Sequence, residues 1–165
     1  MEIWSSERAV MCAIRPRRAA SRPNTAAGDG VWATFEVACY GLRVTHDLAL
    51  YSRSDLNQFV RDLSLFAANR TGEVLLRTAR PDLAPLRDAL PLWHASQLEA
   101  PPARQATLRI FELDQARHVA LTASFVHRRE VQSTPVEDSL VVTFELDPSS
   151  LVRHAAELDD DLAQL

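Results

Sequence analysis

Lysine is absent from this chain: all 18 of its basic residues are arginine. Without an ε-amino group there is no Schiff-base lysine, no Ser/Lys nucleophile pair and no P-loop lysine for a nucleoside triphosphate. Glycine is scarce, with four in the whole chain. None forms a Gly-x-Ser-x-Gly elbow, and Gly28-Asp29-Gly30 precedes a strand pattern, so it lacks the helix terminus that holds phosphate. The two cysteines, Cys12 and Cys39, sit in apolar alternating segments where a free thiol packs as a small hydrophobe, and neither has a metal-ligand companion at Cys-x-x-Cys or His-x-x-x-His spacing. His118 and His127 are nine residues apart on one expected strand, and an odd separation projects them to opposite faces. No apolar run approaches the ~18 residues of a spanning helix. The first residues lack a basic region followed by an apolar stretch, so no secretory signal is read and a reducing cytoplasm is the expected location. Cofactors, metals and a membrane role are therefore not expected.

What is present is an ordinary globular composition: 165 residues, 47% hydrophobic and 24% charged, with a net charge of -4. That length fits one domain. The acidic balance does not favour nucleic acid as a partner of the whole surface.

The pattern along the chain is mostly two-fold. Residues 2–14 have strand character, with Ile3, Trp4, Val10, Met11, Cys12 and Ile14. Residues 15–30 hold two Pro, two of the four Gly and almost no large apolar side chain, which predicts a flexible Arg/Pro/Ala-rich surface loop. From Val31 the alternation is strong: Val31, Ala33, Phe35, Val37 and Cys39 share a face, and Leu42, Val44, His46, Leu48 and Leu50 follow after a bend at Gly41. Ser54 reads as an N-cap, with Asp55 in the first turn and Leu56, Phe59, Val60, Leu63, Phe66 and Ala67 at helical spacing; Leu65 falls outside the stripe, and Gly72 lies just beyond the end. A short strand over 73–79, a proline-punctuated helix and loop between Pro81 and Pro91, and strands over 105–113, 118–127 and 139–146 come next, with a polar loop over 128–138. Asp147-Pro148-Ser149-Ser150 opens a last helix whose Leu151, Ala155, Leu158, Leu162 and Leu165 form one stripe. These elements predict an α+β fold: an antiparallel, twisted sheet of about six or seven strands with two main helices on one face.

Two charge features stand out. Arg8, Arg15, Arg17, Arg18 and Arg22 fall in residues 8–22 with no acid among them, which suits an arm for an acidic partner or a phosphate backbone, or a solvated loop. No aromatic interleaves with them. Glu157, Asp159, Asp160 and Asp161 occupy the last helix late, where the helix dipole disfavours each carboxylate by ~0.3 to 1 kcal/mol. A solvated terminus and a surface for a basic partner are the two readings. Paired carboxylates for acid/base chemistry are a matter of space, which the order of residues does not fix.

The succession of Ile3-Trp4, the paired strands over 31–51, Asp55-Leu56-x-x-Phe59-Val60-x-x-Leu63, Trp93, Leu108-x-Ile110, Asp114, His118-Val119-x-Leu121 and Val142-x-Phe144-x-Leu146-Asp147-x-Ser149-x-Leu151 resembles an uncharacterised bacterial single-domain family. More distantly it resembles immunity proteins that accompany wall-associated, contact-dependent toxins. The likeness runs from about residue 2 to residue 162 and rests on structural patterns rather than catalytic signatures. Two departures stand out: Arg117 replaces the glycine usual before the His-Val pair, so a different turn is expected there, and a Pro/Leu-rich stretch at 80–92 replaces a Trp-rich one. The resemblance implies a small acidic protein that inactivates a basic toxin by covering it. The resulting expectation is a non-enzymatic protein-binding module whose candidate partner-binding residues are Glu157, Asp159, Asp160 and Asp161 with Arg15, Arg17, Arg18 and Arg22; a small-ligand-binding domain or a hydrolase is the alternative.

Overall fold

The computed structural model describes residues 1–20, 30–78, 104–131 and 134–165. Arg22, the rest of the segment 21–29 and the segment 79–103, with the expected helix after Pro81 and with Trp93, lie outside them. Among the described residues there are eight strands and two α-helices: β1 (Glu2–Trp4), β2 (Val10–Ala20), β3 (Gly30–Cys39), β4 (Leu42–Ser52), α1 (Arg53–Asn69), β5 (Glu73–Arg77), β6 (Arg104–Glu112), β7 (Val119–Val131), β8 (Thr134–Leu146) and α2 (Leu151–Ala163). The fold is α+β and every strand pairing is antiparallel.

The single sheet of six or seven strands is corrected to two sheets of four, ordered β1-β2-β3-β4 and β5-β6-β7-β8. Chain order explains the division: α1 interrupts the strands between β4 and β5, and hydrogen-bonded pairing does not resume across it. Both sheets and both helices nonetheless feed one apolar cluster, in which Ile3, Ile14, Phe35, Leu56, Phe59, Leu63, Leu108, Leu121, Leu151 and Leu158 are almost fully buried. Between the sheets, the ring of His46 on β4 meets Phe125 on β7 edge to face at 5.8 Å.

The first sheet departs from simple alternation at two places on either side of the same stretch of β3. In β2 the register shifts between Pro16 and Arg18, so Arg17 bulges. In β4 the pairing passes from Phe35–His46 to Ala33–Ala49, leaving Asp47 and Leu48 opposite Thr34 alone. A bulge reverses which side chains face the core beyond it. His46 is buried as expected, but beyond the bulge Ala49 and Tyr51 are buried where the sequence pattern put Leu48 and Leu50. Residues 15–20, expected to begin a flexible loop, instead continue β2 and pair with β3. Proline is tolerated there because it stands beside the bulge, where the ladder is already interrupted.

Tyr40 and Gly41 form the two-residue turn between β3 and β4, with φ of 46° and 85°. Two successive positive φ values fit a type I′ hairpin, whose twist matches the strands on either side. The N-cap of α1 is Ser52, whose hydroxyl accepts from Asp55 N–H at 3.4 Å, two residues before the expected Ser54. Leu56, Phe59, Val60, Leu63 and Phe66 form its buried stripe, and Leu65 points outward at 61% exposure. At the other end Arg70 takes a left-handed φ of 53° and its N–H closes on Phe66 O.

The hairpin of β7 and β8 is longer than expected: most of the polar segment 128–138 continues the two strands, paired as far as Val131 with Thr134. Asp147 caps a 3-10 turn at Pro148–Ser150 that leads into α2. Leu151, Ala155, Leu158 and Leu162 are buried as the spacing requires, and His154 joins them. Leu165 lies past the helix end, 37% exposed. No helix among the described residues is long and apolar enough to cross a membrane.

Candidate functional site

The buried stripe of α2 fixes the outer face of the helix. At ~100° per residue Val152, Ala156, Asp159 and Ala163 fall on one side, with Asp160 close by. All five are exposed. The four acids expected to act together are not equivalent. Glu157 lies 3.3 Å from Nδ1 of His154 and 3.6 Å from Nε of Arg153. Asp161 lies 3.2 Å from the α-amino group of Met1, which also donates to Ile14 O. Asp159 and Asp160 make no ion pair or hydrogen bond with the described residues, so their charges stand free.

Two cations from other elements reach the end of α2, one at its backbone and one at Asp161, and neither touches Asp159 or Asp160. Nη1 of Arg53, at the start of α1, donates to Leu162 O at 3.2 Å. α2 has no basic residue in its last turn. Arg53 therefore supplies the positive charge that the end of a helix favours, as the Met1 ammonium does for Asp161. The arrangement holds the acidic end firmly against α1 and the first sheet while leaving Asp159 and Asp160 uncommitted.

The arginines expected to form an arm are instead largely part of the sheet. Arg15 donates through Nη1 to Glu36 and through Nη2 to Glu2, both at 2.7 Å. Arg43 Nε approaches the other oxygen of Glu36 at 3.0 Å. Glu36 is nearly buried at 7% exposure, and its charge is compensated by two guanidinium groups. Arg17, on the bulge, donates to the Thr34 hydroxyl at 3.0 Å. Arg18 lies on β2 opposite Trp32. Arg15 thus works in a network with Glu2, Glu36 and Arg43, and among the described residues it makes no ion pair with the acids of α2.

Elsewhere the chemistry is dispersed. His118 Nδ1 pairs with Asp114 at 2.7 Å on the exposed β6–β7 turn, and this hydrogen bond raises the imidazole above its usual range and lowers the carboxyl. His154 is shifted the other way, because burial disfavours its cation. Cys12 is buried and free, and burial pushes its thiol far above its ordinary value, so it is a packing residue rather than a nucleophile. Among the described residues no three His, Cys, Asp or Glu side chains gather to hold a metal ion. A depression of about 180 Å³ is lined by Asp62, Leu65, Phe66, Asn69, Thr71, Glu73 and Val74. Its volume is below the ~300 to 1,000 Å³ of ordinary ligand sites.

Reasoning from sequence missed one feature that the register makes visible. Trp4 on β1 and the turn residue Tyr40 are 43% and 78% exposed, at the same end of the first sheet as Arg8 and Arg43. Both aromatics thus reach the Arg8 end of the sheet from elements other than β2, whereas Arg17 and Arg18 lie toward its other end. Tyr-Gly between two alternating runs was the available signal. No protein family, no curated protein and no solved structure matches this chain.

Proposed function

We propose that this protein is a non-enzymatic protein-binding module that uses the outer face of α2 to meet a basic partner, as an immunity-type inhibitor meets its toxin. The observation that carries the reading is the pair Asp159–Asp160: two adjacent exposed carboxylates, without ion pairs to the described residues, on a helix anchored by Leu151, Ala155, Leu158 and Leu162. Their position opposes the helix dipole, so local stability does not account for them. Complementary charge of this kind steers encounter and selects partners. Val152, 61% exposed on the same face, adds an apolar contact. The likeness to immunity proteins points the same way.

The test is copurification of the intact protein from cells that make it naturally. A stoichiometric basic protein is expected, held at low salt and reduced by Asp159→Asn with Asp160→Asn. A protein recovered alone, or a partner retained equally by that variant, would contradict the reading.

A further inference from the structure

Among the described residues the edges of the two sheets are guarded in different ways, and β8 alone keeps a bare stretch. β1 has three residues and β5 has five. β4 is interrupted by its bulge, and β2, where it outruns β1, holds Pro16, Arg17 and Arg18. Short strands, bulges, proline and charge each discourage a further strand from pairing. β8 is 13 residues long and pairs with β7 along its length without a register shift. In an antiparallel strand the N–H and C=O of one residue point to one side and those of the next residue to the other. Glu145 O accepts from Ser6 N–H, in the β1–β2 turn, at 3.3 Å, so the odd-numbered residues of β8 turn their backbone groups away from β7. Pro135, toward the other end of the strand, has no N–H to offer on that side. Between these two stops, Ser139, Val141 and Thr143 make no backbone hydrogen bond along the edge with the described residues. The stretch 139–143 contains no charge, no proline and no bulge, and Val141 is 62% exposed.

We infer that this bare edge pairs with the same edge of a second copy of the chain, antiparallel about a two-fold axis that passes through Val141 perpendicular to the sheet. The occupant follows from the pattern of the stretch. A strand laid along it needs small polar or β-branched side chains on the outer face, beside Ser139, Val141 and Thr143. On the inner face it needs apolar ones beside Leu140 and Val142, which are half-buried against the shared core. β8 itself has that pattern. With the axis at Val141, Ser139 lies opposite Thr143 of the second copy and Val141 opposite Val141, while on the inner side Leu140 meets Val142. Every backbone group that Ser139, Val141 and Thr143 leave open on one copy then meets its complement on the other. The stretch is neutral, so it offers a charged partner nothing to recognise, and two copies of it do not repel. Just beyond it, where Ser6 already holds the Glu145 backbone, Glu137 of each copy falls opposite Glu145 of the other. That like-charge pair makes the association tighten as salt is added, opposite in sign to the binding proposed for α2.

Sedimentation of the full chain over a range of concentrations and salt, with hydrogen exchange followed at Ser139, Val141 and Thr143, tests the inference without any substitution. A dimer is expected that strengthens with salt and whose formation slows exchange at those three amides. Val141→Lys and Val141→Glu each set like charges against each other at the axis. Each is expected to weaken association by about tenfold or more while the far-ultraviolet spectrum stays native. Mixing the two variants is expected to restore association as a mixed dimer, which a folding defect would not do. A monomer at every concentration, a dimer whose three amides exchange as fast as in the monomer, a dimer indifferent to both substitutions, or a mixture of natively folded variants that stays monomeric would each overturn the inference. So would a different protein found paired to this edge in place of the second copy. Changing Asp159 and Asp160 to Asn should leave the dimer as it is, so this inference and the proposal for α2 fail separately.

Discussion

Arg117 is a residue whose geometry disagrees with its side chain. It takes φ 63° in the β6–β7 turn, where its N–H bonds to Asp114 O and the Asp114 carboxylate receives the His118 N–H. The turn therefore keeps the left-handed position a glycine would fill rather than avoiding it. Replacing Arg117 by Gly is expected to stabilise the protein by up to ~1 kcal/mol in urea denaturation, because the strain at a non-glycine left-handed residue exceeds the entropy added to the unfolded chain. Arg15 works in the opposite sense. Arg15→Ala leaves the nearly buried Glu36 with Arg43 as its one cation among the described residues, and a loss of about 1 to 3 kcal/mol is expected in the same measurement, moderated by the partial exposure of Arg15. The two histidines separate by sign. Burial depresses the folded-state titration of His154 below its ordinary value near 6.5, so the unfolded chain takes up the proton more readily and this contribution is lost as pH falls below about 6.5. His118 is raised by Asp114, so its contribution is present in acid and is lost as pH rises through the folded-state value. With His118→Asn to remove the opposing effect, stability should fall between pH 7 and pH 5, and the further change His154→Leu should flatten that profile. An unchanged slope would show that His154 does not remain neutral in the folded protein.

At the scale of elements, legibility followed the regularity of the backbone. α1, α2 and the strands over 105–146 carry uninterrupted periods, and their buried faces agree with the spacing of Leu56, Phe59 and Leu63, of Leu151 and Leu158, and of Leu108, Leu121 and Phe144. The first sheet was harder to read because two bulges change the parity of its strands, and a bulge leaves no mark in a list of alternating residues. Arg15 to Arg18 looked like loop for the same reason: the proline and the arginines fit an exposed strand with a bulge as well as they fit a turn. In α2 the spacing showed the acidic residues, but it did not show that Glu157 and Asp161 are already paired, since the Met1 ammonium arrives from the far end of the chain. Changing Asp159 and Asp160 to Asn should leave the far-ultraviolet spectrum unchanged and raise stability by ~0.3 to 1 kcal/mol per residue, the amount by which late carboxylates oppose the helix dipole. Leu158→Ala, on the inner face of the same helix, should lower stability by ~2 to 5 kcal/mol through the cavity it leaves.

Across the whole molecule, one core is shared by two sheets and two helices, and the polar groups around it divide by purpose. Glu36 and Arg15 hold the outer face of the first sheet, Arg53 secures the end of α2, and Asp159 and Asp160 pair with nothing among the described residues. That division was not visible in composition, because a net charge of -4 says nothing about which acids are already neutralised. The central claim is that the uncommitted pair steers a basic partner, and charges at the rim of an interface act mainly on the rate of encounter. The most direct measurement is the association rate constant of the copurified partner with the native protein and with the Asp159→Asn, Asp160→Asn variant, across ionic strengths. The account predicts a several-fold slower association for the variant at low salt, a shallower dependence on salt and a nearly unchanged dissociation rate. Equal association rates and equal salt dependence for the two proteins would contradict it.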